Sequence, residues 1–376
     1  MTIQETVGEG EAYTLRHYRP GDERGFLDLY NEVWSAERTT DWFDWRYRDN
    51  PYVEEVTMFV AEYEGEVVAT RPFKAYRVRA GDERRLAFLG TDTMTDSAHR
   101  RKGLFSRTTM AALSHYADRP VEARPAFLFN HSNQYSLPGY RKMGWEYLSE
   151  QVRYNRVQRA GSYVPGAGGF PGRLGGAVAT ALNRAALAAL GRRAAFDVAP
   201  YTVERHEGVP AATLADIYAA CRPDAVHVVY DEAFYEWHFA EPGHEPEATY
   251  VVRRGDRPVA GLVVNREYDP RNDTEMVTIS HVVPAAGGPE RVDAIAAGVE
   301  VLLEAYAGAD LLRTHNPLLP RSVLRAYGFL PDDRLPMSKL ATQGGLTLGI
   351  RPLIESEWDL AGRSIRGAAP SLWTLA

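Results

Sequence analysis

Thr91-Asp92-Thr93-Met94-Thr95-Asp96-Ser97-Ala98-His99-Arg100-Arg101-Lys102-Gly103-Leu104-Phe105 is the stretch whose reading decides the fold. It joins a strand expected over 84–95 to a helix expected over 103–117. In that helix Leu104, Phe105, Met110, Leu113 and Tyr116 recur at helical spacing. A strand end, three consecutive cations and a glycine opening a helix make an anion site. The first turn of a helix leaves its N–H groups without intrahelical acceptors, and the macrodipole places about half a positive charge there. Gly103 lets backbone approach an anion closely, and Arg100, Arg101 and Lys102 add charge. Such a loop suits a pyrophosphate. The chain has no Gly-x-x-x-x-Gly-Lys-[Ser/Thr], and no Gly-x-Gly-x-x-Gly follows its first strand, which argues against P-loop and Rossmann readings.

Working outward, the surrounding elements form an α+β unit. Residues 13–18 alternate as a strand, and Gly21-Asp22 opens a helix carrying Phe26, Leu27, Leu29, Tyr30 and Val33. Residues 56–62 and 66–78 form a hairpin about Glu64-Gly65. Downstream come a short strand at 125–130, a helix at 136–142 and a final strand at 145–155.

The same unit recurs. Tyr13-Thr14-Leu15 is echoed by Tyr201-Thr202-Val203, and Leu27-Asp28-Leu29-Tyr30 by Ala215-Asp216-Ile217-Tyr218. Trp42-x-x-Trp45 returns as Phe234-x-x-Trp237, and Phe59-Val60-Ala61 with Gly65 as Tyr250-Val251-Val252 with Gly255. Matches in the same order at a slowly drifting offset point to a duplication. The expected division is 1–158 as a catalytic unit, 159–199 as a Gly/Pro-rich linker with an amphipathic helix, 200–340 as a degenerate second unit, and 341–376 as a C-terminal extension. In the second copy the cationic loop is replaced by Pro284-Ala285-Ala286-Gly287-Gly288-Pro289-Glu290, which lacks cations. The expected fold is α+β, with two units, each a mixed, mostly antiparallel twisted sheet flanked by helices.

A second signature is Asn130-His131-Ser132-Asn133, followed by Ser136 and Tyr140-Arg141-Lys142-Met143-Gly144-Trp145. With the loop at 99–105 it resembles the GNAT superfamily of N-acetyltransferases. Arg100 and Gly103 match the family's [Gln/Arg]-x-x-Gly-x-[Gly/Ala], while Phe105 stands where a small residue is usual. Asn133, Ser136, Tyr140, Gly144 and Trp145 fall on the Asn-x-x-[Ala/Ser]-x-x-x-Tyr-x-x-x-Gly-Phe pattern. The two-unit layout is similar to tandem-GNAT enzymes of the enhanced-intracellular-survival type. The resemblance implies transfer of an acetyl or other acyl group from acyl-CoA to a primary amine, by direct attack in a ternary complex. It implies cofactor contacts from Thr93, Met94, Thr95, Arg100, Arg101, Lys102, Gly103, Leu104, Phe105 and Asn133. It implies Tyr140 as the acid that protonates the departing thiolate, and it makes Asp92 the leading candidate for the base, ahead of Asp96 and His131. Trp42, Phe43, Trp45 and Tyr47 read as packing residues before an acceptor wall.

Composition bounds the alternatives. The 376 residues carry a formal charge of −7, which disfavours nucleic acid as the main partner. A single cysteine, Cys221, excludes an intrachain disulfide and thiolate zinc sites, and no metal is expected. The N-terminal residues do not read as a signal peptide and no stretch is apolar enough to span a bilayer, so the expectation is a cytoplasmic protein without a membrane partner. The expected partner is a small-molecule or peptide amine, with homo-oligomerisation left open. Two other readings stay open: a non-catalytic CoA-binding regulatory or interaction protein, and an aminoacyl transferase on a doubled GNAT fold.

Overall fold

The computed structural model describes residues 2–7, 11–159, 180–181, 187, 196–270, 273–316, 318–335, 337–339 and 345–375. The Gly/Pro-rich linker and nearly all of the expected amphipathic helix lie outside them.

The first unit runs β1 (Thr2–Val7), β2 (Glu11–His17), α1 (Asp22–Trp34) and α2 (Thr40–Phe43), which continues as a π turn over Asp44–Arg48. Then follow β3 (Met58–Tyr63), β4 (Glu66–Ala80), β5 (Glu83–Gly90), β6 (Met94–Thr95), α3 (Leu104–Ala117), β7 (Pro125–Ser132), α4 (Leu137–Lys142), β8 (Glu146–Glu150) and β9 (Arg153–Val157). The second unit repeats the order with β10 (Tyr201–Glu207), α5 (Ala211–Ala220), β11 (His227–Val228), α6 (Glu232–His238), β12 (Ala248–Arg254), β13 (Arg257–Asp269) and β14 (Thr274–Val283). It continues with α7 (Pro289–Ala305), β15 (Leu311–His315), α8 (Arg321–Ala326) and β16 (Leu330–Pro331), and the extension adds β17 (Thr347–Pro352) and α9 (Ala369–Leu372).

The sheets do not respect the chain order. One sheet runs β1-β2-β3-β4-β5-β7-β17-β8, with β6 and β11 on β4; the other runs β10-β12-β13-β14-β15-β9-β16. Both are mostly antiparallel, with one parallel pair each at β5/β7 and β14/β15. The strand expected over 145–155 is therefore two strands in different sheets. β9 crosses to pair with β15, while β17 returns from the extension to sit between β7 and β8. β11 adds a third exchange, pairing His227 with Arg79 of β4. Boundaries drawn at 158 and 340 thus cut the chain between elements but divide neither sheet cleanly.

This exchange merges the cores. One apolar cluster holds Phe26, Tyr76 and Phe129 of the first unit, Phe234 and Trp237 of the second, and Leu372 and Trp373 of the extension. A separate cluster under β12–β15 packs against α7 and α8. At roughly 1.5–3 kcal/mol for each large apolar side chain fully buried, the shared cluster holds the units together alongside the exchanged strand ladders and the side-chain hydrogen bonds that cross between them.

The strand expected over 84–95 is broken. β5 ends at Gly90, Asp92 adopts φ 45°, and only Met94–Thr95 resumes pairing, now with β4. The parallel register of β5 with β7 runs to Leu89 opposite Phe129, whereas β7 continues to Ser132 alongside β17. The two chains therefore part after Leu89, and a gap opens at the sheet centre.

Candidate active site

A cavity of about 970 Å³ occupies that gap. Its floor is Gly90 to Thr95, one side is Phe105, Asn133 and Tyr140, and the far wall comes from the second unit through His238, Phe239, Glu241, His244, Asn265 and Ser280.

The loop at its mouth is shaped locally. Asp96 accepts from the Ala98 N–H at 2.8 Å and starts a 3₁₀ turn over Ser97–His99. Gly103 then caps α3 at φ 75°, in the left-handed region where glycine has no steric penalty. No side chain caps the first turn of α3. Arg100 lines the cavity and donates from Nε to the Thr95 carbonyl at 3.3 Å. Arg101 is exposed at φ 65°, and Lys102 turns away, its Nζ reaching the Tyr13 hydroxyl at 3.2 Å. Thus one of the three loop cations faces the cavity. Leu104 points into the core beside Tyr13 and Leu15, so its side chain is structural. Met94 is buried and lines the cavity, as do Thr93 and Thr95.

Phe105, which departs from the family pattern, has a definite place. Its ring packs edge-on against Tyr140, with centroids 5.1 Å apart, and lies over Gly139, where a Cβ would fall 2.8 Å from the ring. The bulky residue is accommodated because its neighbour lacks a side chain. Tyr140 is almost fully buried between Phe105 and Trp145 and reaches the cavity. Asn133 lines the cavity while its Oδ1 accepts from the N–H groups of Tyr135 and Ser136, which fixes the entry to α4.

Asp92 is placed differently from a free base. Its Oδ2 accepts from Arg46 Nε at 2.5 Å and from the Tyr47 hydroxyl at 2.6 Å. Burial works to raise its pKa, but the Arg46 charge and these hydrogen bonds outweigh that and hold it below the usual carboxylate range. A carboxylate so held has little basicity left, and Asp92 is better described as the anchor of Arg46. His131 lines the cavity, stacks on Trp373 at 5.0 Å and has Nε2 3.2 Å from the Leu372 carbonyl; burial pushes its pKa down to about 4. Asp96 is spent on its cap. His99 bonds the Tyr13 hydroxyl at 2.8 Å, outside the cavity lining.

Three residues were not singled out from sequence. Arg71 of β4 is fully buried; Nη1 donates to Thr93 Oγ1 at 2.7 Å, while among the described residues it meets no carboxylate and its Nε and Nη2 find no hydrogen-bond partner. It fills the space above Gly90, where a Cβ would lie 2.4 Å from Nη2. Lys74 lines the cavity between the rings of Trp45 and Trp237. His238 faces it from α6, and burial drives its pKa well below the ordinary value. A cation inside an apolar strand was the available signal for Arg71 and Lys74, but which face of β4 is covered depends on the second unit. Trp42, Phe43, Trp45 and Tyr47 are all buried, as expected for packing residues, although Trp45 also reaches the cavity.

These features fit an acyl-CoA. The first turn of α3 without a side-chain cap, the cavity-facing Arg100 and the gap between β6 and β7 offer an anion site leading into a slot, and the buried Asn130 Oδ1 near its end has no partner among the described residues.

Residues 14–148 match the family model described as Acetyltransferase (GNAT) domain. A comparison with curated proteins finds no match. Among solved structures, the chain resembles a probable N-acyltransferase from Enterococcus faecalis at 11% identity and TM-score 0.59, covering 92% of this chain and 74% of that one. It resembles a GCN5-related N-acetyltransferase from Anabaena variabilis at 10% identity and TM-score 0.61, covering 93% and 75%. It also resembles the N-myristoyltransferase of Saccharomyces cerevisiae, solved with myristoyl-CoA, at 10% identity and TM-score 0.57, covering 93% and 81%. At these identities the likeness concerns the fold, and the family match rests on the first unit. Residues 14–148 are a GNAT acetyltransferase domain by this match, and the whole chain shares the fold of these N-acyltransferases.

Proposed function

We propose that the protein transfers an acyl group, acetyl in the simplest case, from acyl-CoA to a primary amine that enters against the wall formed by the second unit. The observation that carries this is the continuity of one cavity from the α3 loop, past Tyr140, to Lys74 and the α6 residues of the second unit. Acyl-CoA supplies an acyl group already activated as a thioester. Arg100 and the first turn of α3 hold its phosphates. The backbone of Thr93 to Thr95 lies where it can pair with the amide groups behind them. Tyr140, at the junction of the two arms, donates its phenolic proton to the departing sulfur. Asp92 holds Arg46 in place and does not take the proton of the incoming amine.

The lining also restricts the acceptor. Its two carboxylates are both held by arginines, Asp92 by Arg46 and Glu241 by Arg38 at 3.3 Å. A polycation would meet no free anionic ligand there. An amine with one positive group and an apolar body fits the aromatic wall better. The test is calorimetric binding of CoA together with thiol release from acetyl-CoA across a panel running from monoamines to polyamines. Expected are CoA binding and amine-dependent thiol release that favours monoamines. Tight CoA binding without release for any amine would overturn catalysis and favour a CoA-binding regulator.

A further inference from the structure

Four of the 43 basic Lys and Arg residues are lysines: Lys74, Lys102, Lys142 and Lys339. Lys74 differs from an ordinary surface lysine. It lies mid-strand in β4, 5% exposed, and its Nζ sits 5.0 Å from the Trp45 ring centroid and 4.8 Å from that of Trp237. The slot is rigid because each indole is tied to the other's backbone. Among the described residues, no carboxylate forms an ion pair with Nζ and no hydrogen bond holds it. Asp92 and Glu241, the acids closest in effect, are both occupied by arginines. Yet Lys74 opens onto the same cavity as Tyr140 and the β5–β6 break.

We propose that Lys74 is an internal acyl acceptor. The proposal rests on reading the cavity as an acyl-CoA site. With acyl-CoA bound and no external amine present, the neutral Nζ attacks the thioester carbonyl carbon. The C–N bond forms as the C–S bond breaks, one N–H proton passes to the leaving sulfur, and the products are acyl-Lys74 and CoA thiol. Burial, then the charge of Arg46, bring the lysine down to about 7 against the opposing charges of Asp92 and Glu241, so a large share of it is the free amine at neutral pH. The amide is stable and fills the acceptor end of the cavity. The modification therefore shuts the enzyme down when acyl-CoA outlasts its acceptor.

The test needs no knowledge of the acceptor. The full chain is incubated with isotope-labelled acetyl-CoA, CoA binding is measured calorimetrically on the same preparation, and peptides bearing each lysine are followed by mass spectrometry. Lys142 is exposed and reports uncatalysed acetylation. Expected is a label on the Lys74 peptide that saturates with acetyl-CoA, is suppressed by added CoA and outpaces Lys142 by at least tenfold at pH 7. The Lys74→Arg protein should take no label on that peptide. CoA binding with Lys74 unlabelled, or labelled no faster than Lys142, overturns the proposal and leaves the acyl-CoA reading intact. Absence of CoA binding overturns both.

Discussion

Trp45 and Trp237 each donate the indole N–H to the other's main-chain carbonyl, both at 2.7 Å. They stand at matching places in the two units and bury the bonds completely, so the contact is a two-fold clasp. It has two consequences: the acceptor wall is fixed relative to the first unit, and Lys74 is caged.

Replacing either tryptophan by phenylalanine leaves one buried carbonyl without its donor, at a cost of about 1–3 kcal/mol. Replacing either by alanine adds a cavity and costs about 3–5 kcal/mol. Because the bonds are reciprocal, the double phenylalanine variant should be less destabilised than the sum of the two singles. Denaturant unfolding of the four proteins of the cycle measures this; strict additivity would show that the two bonds act independently.

The clasp also shows what the sequence made legible. The 192-residue spacing of Trp45 and Trp237 is visible as a repeat, because packing on a sheet demands the same residue type in both copies. The strand exchange is not visible. Gln151 and Val152, where β8 gives way to β9, contain no glycine or proline, so 145–155 reads as one strand. β17 is six residues in an extension without a repeat partner, and its pairing with β7 is decided only once the gap there exists. Asp92 likewise reads as a free acid on a strand end, since its partner Arg46 lies on another element. The loop at 99–105 was readable because helix-start chemistry is local, but local rules could not tell that Lys102 would turn toward Tyr13.

Asp92→Asn should remove the charge partner of Arg46 and cost about 3–5 kcal/mol, the range for breaking a largely buried ion pair. The sign with pH follows from the direction of the shift. The folded carboxyl is held below its unfolded value of about 4, so its contribution is present above that pH and is lost as the pH falls through the lower folded value. The gap in stability between wild type and variant should therefore be constant from pH 7 to 5 and shrink below pH 4. Thermal unfolding across that range checks it, and a gap unchanged down to pH 2 would refute the ion-pair account.

Arg100→Ala should raise the acetyl-CoA KM with little change in kcat. A charge-assisted bond to phosphate is worth about 1.5–3 kcal/mol, roughly a ten- to hundredfold change. Gly103→Asp should act more strongly. Aspartate tolerates the left-handed backbone at φ 75° better than most residues, so the fold survives while the anion site gains a negative charge. Lys102→Ala should leave KM nearly unchanged, because its Nζ lies on Tyr13 and not in the cavity. Equal effects at Arg100 and Lys102 would mean that the loop rearranges on binding.

Tyr140→Phe keeps the ring packed between Phe105 and Trp145 and removes only the hydroxyl. If that hydroxyl supplies the proton to sulfur, kcat should fall by roughly 10²–10⁴ while KM for acetyl-CoA stays within a few-fold. A variant that weakened KM and kept kcat would assign Tyr140 to binding.

The extension should be indispensable to the first unit despite lying almost two hundred residues beyond it. β17 supplies hydrogen-bond partners to β7 on one side and β8 on the other, and Ile350 and Leu348 are fully buried in the shared core. Leu372 and Trp373 add two more buried side chains, and Trp373 stacks on His131 of β7. Ending the chain after residue 344 would expose both edges of the gap and strip these four large apolar groups, with Leu353, Leu360, Ile365 and Leu375 besides, from the core, each worth roughly 1.5–3 kcal/mol. That exceeds the usual net stability of about 5–15 kcal/mol at its lower end. The truncated chain should show no cooperative thermal transition and should not bind CoA, although every residue of the α3 loop and of the GNAT-matching segment is intact. Adding back a synthetic peptide covering 345–376 should restore part of both. A truncated protein that unfolds cooperatively and binds CoA would show that β7 and β8 close on each other without the inserted strand.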